Sequence, residues 1–299
     1  MAPISKQYKS PSQAGLANRA RMLIACPDRP GIVSAVSQFL FEKGANIVQS
    51  DQYTMDPEGG MFFIRIEFDL PELEDKLAAL KRDFAAVAQA FSMDVAISPA
   101  SKKKRLAIFV SKEDHCLLEL LWQWHAGDLY ADISMVISNH PDLRDLVESF
   151  GIPFHHVPVT PDTKLKAEAT QLEIVGDKAD AIVLARYMQI ISPQFLQYYP
   201  NRIINIHHSF LPAFVGGKPY QQAYQRGVKI IGATAHYVTE ELDGGPIIEQ
   251  DVQRVSHRQS VDELKRIGRN IERTVLARAV KWHLEDRILV HQNKTVVFN

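Results

Sequence analysis

Asn205 and His207 stand two residues apart where an apolar run ends, and Asp243 stands in the turn Leu242-Asp243-Gly244-Gly245-Pro246. Side chains alternate faces along a strand, so Asn205 and His207 share one face and His208 is expected on the other. An amide, an imidazole and a carboxylate are what acyl transfer through a tetrahedral intermediate needs. Asn205 can meet the developing oxyanion, and His207, whose ordinary pKa of about 6.5 lies near working pH, can shuttle the proton. Asp243 can hold the imidazolium and orient an attacking water. The set requires no metal and no cofactor. Two adjacent histidines on opposite faces cannot readily share an ion, and Cys26 and Cys116 fall in no paired-ligand spacing. Taken singly, an Asn or His at a strand end is more often structural, and Asp-Gly-Gly is more often a plain turn. The combination carries the inference.

The scaffold that must position these groups is legible in outline. A chain of 299 residues suggests about two domains. With 46% apolar and 23% charged residues and a net charge of -1, it is an ordinary soluble protein, not a general polyanion binder. The run Lys102-Lys103-Lys104-Arg105 reads as a solvated linker rather than a nucleic-acid patch. Two cysteines imply a reducing compartment, and with no bilayer-length apolar run and no signal-peptide core the expected location is cytoplasmic. Met1 to Ala17 reads as a loose arm.

Residues 19–99 read strand, helix, strand, strand, helix, strand, the ferredoxin-like α+β arrangement. The strands are Met22 to Cys26, a run ending at Tyr53, Phe62 to Phe68 after the Glu58-Gly59-Gly60 turn, and Met93 to Ile97; the helices run to Phe41 and from Pro71 to Ala90. After a linker at 100–105, residues 106–299 alternate strands and helices, beginning with the apolar runs Leu106 to Val110 and Ala181 to Ala185. The fold class is α/β, a doubly wound and mostly parallel sheet preceded by the ferredoxin-like unit. Ligands of such sheets bind beyond the carboxyl ends of the strands, where the segments after Val110, Ala185 and Ile206 all end. No Gly-x-Gly-x-x-Gly follows the first strand, which disfavours a dinucleotide. Leu264, Ile267, Ile271, Val275 and Leu276 form a helical core stripe.

The stretch Asn205-Ile206-His207-His208-Ser209-Phe210-Leu211-Pro212, with the Asp243 turn, resembles the signature of the folate-dependent formyltransferases and deformylases, and the likeness covers nearly all of Arg105 to Asn299. Gly232 to Thr239 matches the family strand before the aspartate loop, and Arg186-Tyr187-Met188-Gln189-Ile190 the segment that receives the pterin. The resemblance implies a pterin held around Met188, Gln189 and Ile190 and by the loop Val238, Thr239, Glu240 to Gly244; core packing is an equal reading of Met188 and Ile190. Two readings fit His236, support of Asp243 or a water, or an edge-strand histidine. His208 stands where many transferases of the family have Pro and is read as a hydrogen-bonding residue. Phe214 to Tyr220 resembles a Gly-Pro loop of the family, with Tyr220 lining the cleft or packing on the next helix.

Asp28-Arg29-Pro30-Gly31-Ile32-Val33 and Gly44-Ala45-Asn46-Ile47 resemble ACT domains. That implies an amino-acid effector near Asp28, Gly31 and Asn46, or a purely dimerising role; structurally, Gly31 can be a helix-entry residue and Asn46 a left-handed one. Glycinamide ribonucleotide formyltransferases cradle a phosphate in a loop rich in Gly, Ser and Asn after the first strand. Here that loop is Ser111-Lys112-Glu113-Asp114-His115-Cys116, whose carboxylates would repel a dianion or, as is commoner, serve as ordinary first-turn helix residues; on either reading the phosphate cradle is missing. The pairing of the two domains resembles the formyltetrahydrofolate deformylases over almost the whole chain. It implies hydrolysis of 10-formyltetrahydrofolate to tetrahydrofolate and formate, balancing folate pools and supplying formate for purine synthesis. The implied partner is a small-molecule folate, in a homo-oligomer with no nucleic acid and no membrane. The alternatives are a formyltransferase to an amine acceptor and a non-catalytic folate sensor.

Overall fold

The computed structural model describes residues 15–56, 59–213 and 219–299. Most of the expected N-terminal arm, Glu58 of the glycine turn and Phe214 to Lys218 lie outside the described residues. The chain divides into two units. One holds the described residues up to Lys103 with 285–291 and 296–299; the other holds Lys104–Leu284 with 292–295.

In the first unit, β1 (Arg19–Pro27), β2 (Asn46–Thr54), β3 (Met61–Asp69) and β4 (Asp94–Pro99) form an antiparallel sheet in the order β2-β3-β1-β4. Helices α1 (Ile32–Glu42) and α2 (Leu73–Phe91) press Val36, Leu40, Leu80 and Phe84 onto Met22, Ile24 and Phe68. Gly31, at φ 94°, caps α1 in a conformation that favours glycine. The left-handed residue before β2 is Gly44, at φ 75°, and not Asn46, which opens the strand.

The domain ends differ from those expected. Arg65 is fully buried; it pairs with Glu67 and donates to the carbonyls of Glu285 and Asp286, so residues just beyond Leu284 belong to the first unit. Lys104 and Arg105 are strand residues, not linker, and the Arg105 backbone N–H and guanidinium both bond Asp180.

The second unit is a seven-stranded sheet of order β11-β10-β9-β8-β5-β6-β7. Its strands are β5 (Lys104–Val110), β6 (Ala131–Ser138), β7 (Phe154–His156), β8 (Ala181–Leu184), β9 (Ile203–His207), β10 (Ile230–Tyr237) and β11 (Ile247–Arg254). The first five pair in parallel; β10 and β11 are antiparallel. Leu106 to Val110 are all buried, as a central parallel strand requires. The chain builds outward through β6 and β7, then crosses back to lay β8 on the other side of β5. That reversal opens a crevice at the carboxyl ends of β5, β8 and β9.

Helices α3 (His115–Ala126), α4 (Arg144–Ser149), α5 (Lys164–Val175), α6 (Pro193–Leu196), α7 (Pro219–Arg226) and α8 (Val261–Leu284) pack around the sheet, and β12 (Ile288–His291) pairs with β13 (Lys294–Val297). Leu264, Ile271, Val275 and Leu276 of α8 are buried as the stripe predicts, and Gly268 and Glu272 share that buried face. Gly268 has a packing reason: a Cβ there would lie 1.9 Å from the Tyr220 hydroxyl.

Candidate functional site

A cavity of about 630 Å³ sits at the crevice. Asn205 and His207 both reach it from the end of β9. Antiparallel pairing sets His236 of β10 opposite Asn205, and Thr234 opposite His207. Asp243 arrives from the loop joining β10 to β11. That loop is pinned where Val238 N–H donates to Ile203 O at 2.9 Å and Tyr237 N–H to Pro246 O at 2.9 Å. Gly245 is required there, since a Cβ would fall 1.8 Å from the Tyr237 carbonyl oxygen. Asp243 itself is left-handed, at φ 56°, a state that its short polar side chain tolerates.

The Asp243 carboxylate lies 3.2 Å from His207 Nδ1. An ionised carboxylate only accepts, so this contact places the imidazole proton on Nδ1 and leaves the Nε2 lone pair free. That Nε2 is buried and has no partner among the described residues. The bond from His207 holds the Asp243 carboxyl below its ordinary pKa, against the opposing effect of burial. Asn205 Nδ2 donates to His236 Nε2 at 3.2 Å, while His236 Nδ1–H donates to the Tyr237 carbonyl at 2.9 Å. Burial keeps His236 neutral, as an acceptor must be. It therefore orients Asn205, not Asp243, whose carboxylate is 3.8 Å away, and it lies on an interior strand, not an edge.

His208 does not point to the opposite face. Its ring stacks on His207, with centroids 5.2 Å apart and planes 24° from parallel. β9 ends at His207 and the chain bends at His208; alternation holds only while the backbone stays extended. Thr234 fixes the bend by donating to Ser209 O at 2.9 Å and accepting from Leu211 N–H at 3.0 Å. His208 Nδ1 receives Arg186 Nη1 at 2.6 Å. Burial, then the Arg186 charge, push the His208 pKa down to about 4.

Sequence reasoning missed the group that completes this side of the cavity. Glu272, 1% exposed, receives Tyr220 Oη at 2.6 Å, meets His115 Nε2 at 2.9 Å and lies 3.3 Å from Arg186 Nε. Burial opposes its charge, but His115, Arg186 and Tyr220 together hold its pKa at about 2. The available signal was its position: Glu272 follows Leu264 and Gly268 at four-residue steps, on the apolar face of α8. Arg186, expected beside a pterin, turns its guanidinium to His208 and Glu272, from a left-handed backbone at φ 62°. Tyr220 lines the cavity and also packs on α8.

Most of the other expected residues belong to the same cavity. Met188, Gln189, Ile190, Val238, Thr239 and Glu240 line the cavity. Met188 and Ile190 are 57% and 59% exposed, so core packing does not explain them. Gly244 holds the loop from within, its N–H donating to Glu241 O at 3.1 Å. Ser111 Oγ donates to Asn139 at 2.7 Å and accepts Met188 N–H at 2.9 Å, tying the loop after β5 to that after β8. Glu113 pairs with Arg269 at 3.2 Å. His115, Cys116 and Glu272 have ligand atoms within 4.8 Å of one another, but Arg186 already supplies a cation there. In the first unit Asp28 accepts from Thr54 Oγ1 at 2.6 Å, and Gly31 and Asn46 are exposed. Among the described residues no helix is long and apolar enough to cross a membrane.

Two family models match the chain, formyl transferase over residues 104–280 and ACT domain over 21–85. The chain is 60% identical to the formyltetrahydrofolate deformylase of Bacillus subtilis, over 95% of each. Its fold is similar to the crystal structure of a formyltetrahydrofolate deformylase from Pseudomonas syringae, with a TM-score of 0.90 and 53% identity over 94% of each chain. It is similar also to that from Burkholderia mallei, with a TM-score of 0.88 and 43% identity over 94% of this chain and 100% of that one.

Proposed function

The chain belongs to the formyltetrahydrofolate deformylase family, and on that premise we propose that it hydrolyses 10-formyltetrahydrofolate to tetrahydrofolate and formate by the action of Asn205, His207 and Asp243. The carrying observation is the buried Nε2 of His207, unpartnered among the described residues, with Asp243 on the opposite ring nitrogen and Asn205 on the same strand face.

The formyl oxygen accepts from the Asn205 amide, whose second N–H remains after the bond to His236. A water gives one proton to His207 Nε2 as its oxygen attacks the formyl carbon. Asp243 stabilises the imidazolium as it forms. Asn205 meets the oxyanion of the tetrahedral intermediate. His207 then protonates N10, the C–N bond breaks, and the aniline-type nitrogen leaves as tetrahydrofolate. The apolar wall of Met188 and Ile190, with the loop from Val238 to Asp243, receives the pterin.

A phosphate-bearing amine acceptor is not favoured, because the Glu113 carboxylate lines the cavity just before the N-terminus of α3. The first unit would bind an amino-acid effector near Asp28, Gly31 and Asn46, in a cytoplasmic homo-oligomer that returns formate to purine synthesis. The test is formate release from 10-formyltetrahydrofolate, without acceptor and then with glycinamide ribonucleotide. Release without acceptor is expected; turnover only with acceptor would make the protein a transferase.

A further inference from the structure

Hydrolases and transferases of formyl groups can share a proton shuttle and an oxyanion donor, so something else must choose water over an amine. We propose that His208, fixed by Arg186 and Glu272, binds the attacking water and selects it over amine nucleophiles. This rests on the hydrolase reading above.

The fixing is unambiguous in its chemistry. A guanidinium only donates, so Arg186 Nη1 at 2.6 Å makes His208 Nδ1 an acceptor and places the ring proton on Nε2. Glu272 holds Arg186 from the other side, 3.3 Å from its Nε, and is itself held by Tyr220 and His115. Arg186 takes a left-handed backbone, φ 62°, at this contact, a local strain that the surrounding bonds must impose. His208 therefore offers an N–H at Nε2. The stacked neighbour His207 offers a lone pair at its own Nε2. Both residues line the cavity.

A donor edge beside an acceptor edge suits water. Water can accept from His208 with one lone pair, donate to His207 with one hydrogen, and keep its second lone pair for the formyl carbon. A neutral amine has one lone pair. Once that pair accepts from His208 it is no longer a nucleophile, and the ammonium form is repelled by Arg186. In hydrolysis the second lone pair forms the new C–O bond, and the proton given to His207 Nε2 passes to N10 as the C–N bond breaks. The products are tetrahydrofolate and formic acid, which ionises. With an amine the same proton path would give a formamide and tetrahydrofolate.

The experiment uses the full chain, 10-formyltetrahydrofolate, and aminoacetonitrile, a small amine neutral at pH 7.5. It measures the ratio of N-formylaminoacetonitrile to formate, corrected for the uncatalysed reaction. The intact protein should give formate almost alone. His208→Ala should raise the ratio about tenfold or more while total turnover falls, and His208→Gln, which keeps an N–H donor, should restore most of the selectivity. The double variant R186M/E272Q, which removes the donor to His208 Nδ1 without leaving a buried charge unpaired, should move the ratio the same way and serves if His208→Ala does not fold. A role limited to structure would lower both products together. An unchanged ratio in a folded variant therefore overturns the proposal. No formate from the intact protein would instead overturn the hydrolase reading.

Discussion

Replacing Asp243 with Asn removes one charge and almost no volume. In the resting site the cost is small, because an amide oxygen can still accept from His207 Nδ1. The cost appears when His207 takes the water's proton. A positive imidazolium 3.2 Å from the carboxylate, at an effective dielectric of about 20, is favoured by roughly 5 kcal/mol. At 1.36 kcal/mol per decade this is a loss of about 10³- to 10⁴-fold in kcat. A flipped Asn would add to the loss by donating to Nδ1 and moving the imidazole proton onto Nε2. Steady-state formate release gives kcat and KM, and fluorescence quenching by a non-hydrolysable folate gives binding. Since Asp243 acts on the charge of the intermediate, kcat should fall and folate affinity should hold. A loss below about tenfold, or one carried by KM alone, would refute the assignment of Asp243 as the group that stabilises the imidazolium.

Asn205→Ala should lower kcat by about 10²- to 10³-fold through loss of an oxyanion donor, with folate affinity largely kept, as read in the same assay. Tyr220→Phe deletes the bond to the buried Glu272 and should destabilise the second unit by about 1.5–3 kcal/mol, measured by urea unfolding. Glu272 makes a pH-dependent contribution. Its folded pKa, about 2, lies below the unfolded value of 4.5, so the unfolded chain takes up the proton first as pH falls. The stabilisation is complete above about pH 4.5 and drains away toward pH 2. Urea midpoints across that range should fall more steeply for the intact chain than for Glu272→Gln, and parallel curves would contradict it.

Local rules carried a long way along this chain. The apolar runs at Leu106 and Ala181 announced central parallel strands, and the glycine turn announced the loop that delivers Asp243, because each depends on nearest neighbours. What failed depended on where extended structure stops. His208 was assigned by alternation to the far face, yet β9 ends one residue earlier and the ring folds back onto His207. Glu272 was overlooked because its partners come from three other segments: His115, Arg186 and Tyr220. A buried carboxylate is legible only as an anomaly on an apolar face until its partners are in place. Arg65 is the same case in the first unit: the Glu67 carboxylate and the carbonyls of Glu285 and Asp286 accept from it.

Gly268 ties the history of two positions together. An alanine there would favour α8 by about 1 kcal/mol on helix propensity alone. It would also strike the Tyr220 hydroxyl and push that ring off Glu272. While Tyr220 is present the exchange loses more than the helix gains. Once a small residue replaces Tyr220, the same alanine becomes favourable, and a return to tyrosine is then blocked by the new methyl. The two substitutions are thus open in one order and closed in the other, so a lineage that abandons the Tyr220 bond cannot readily recover it.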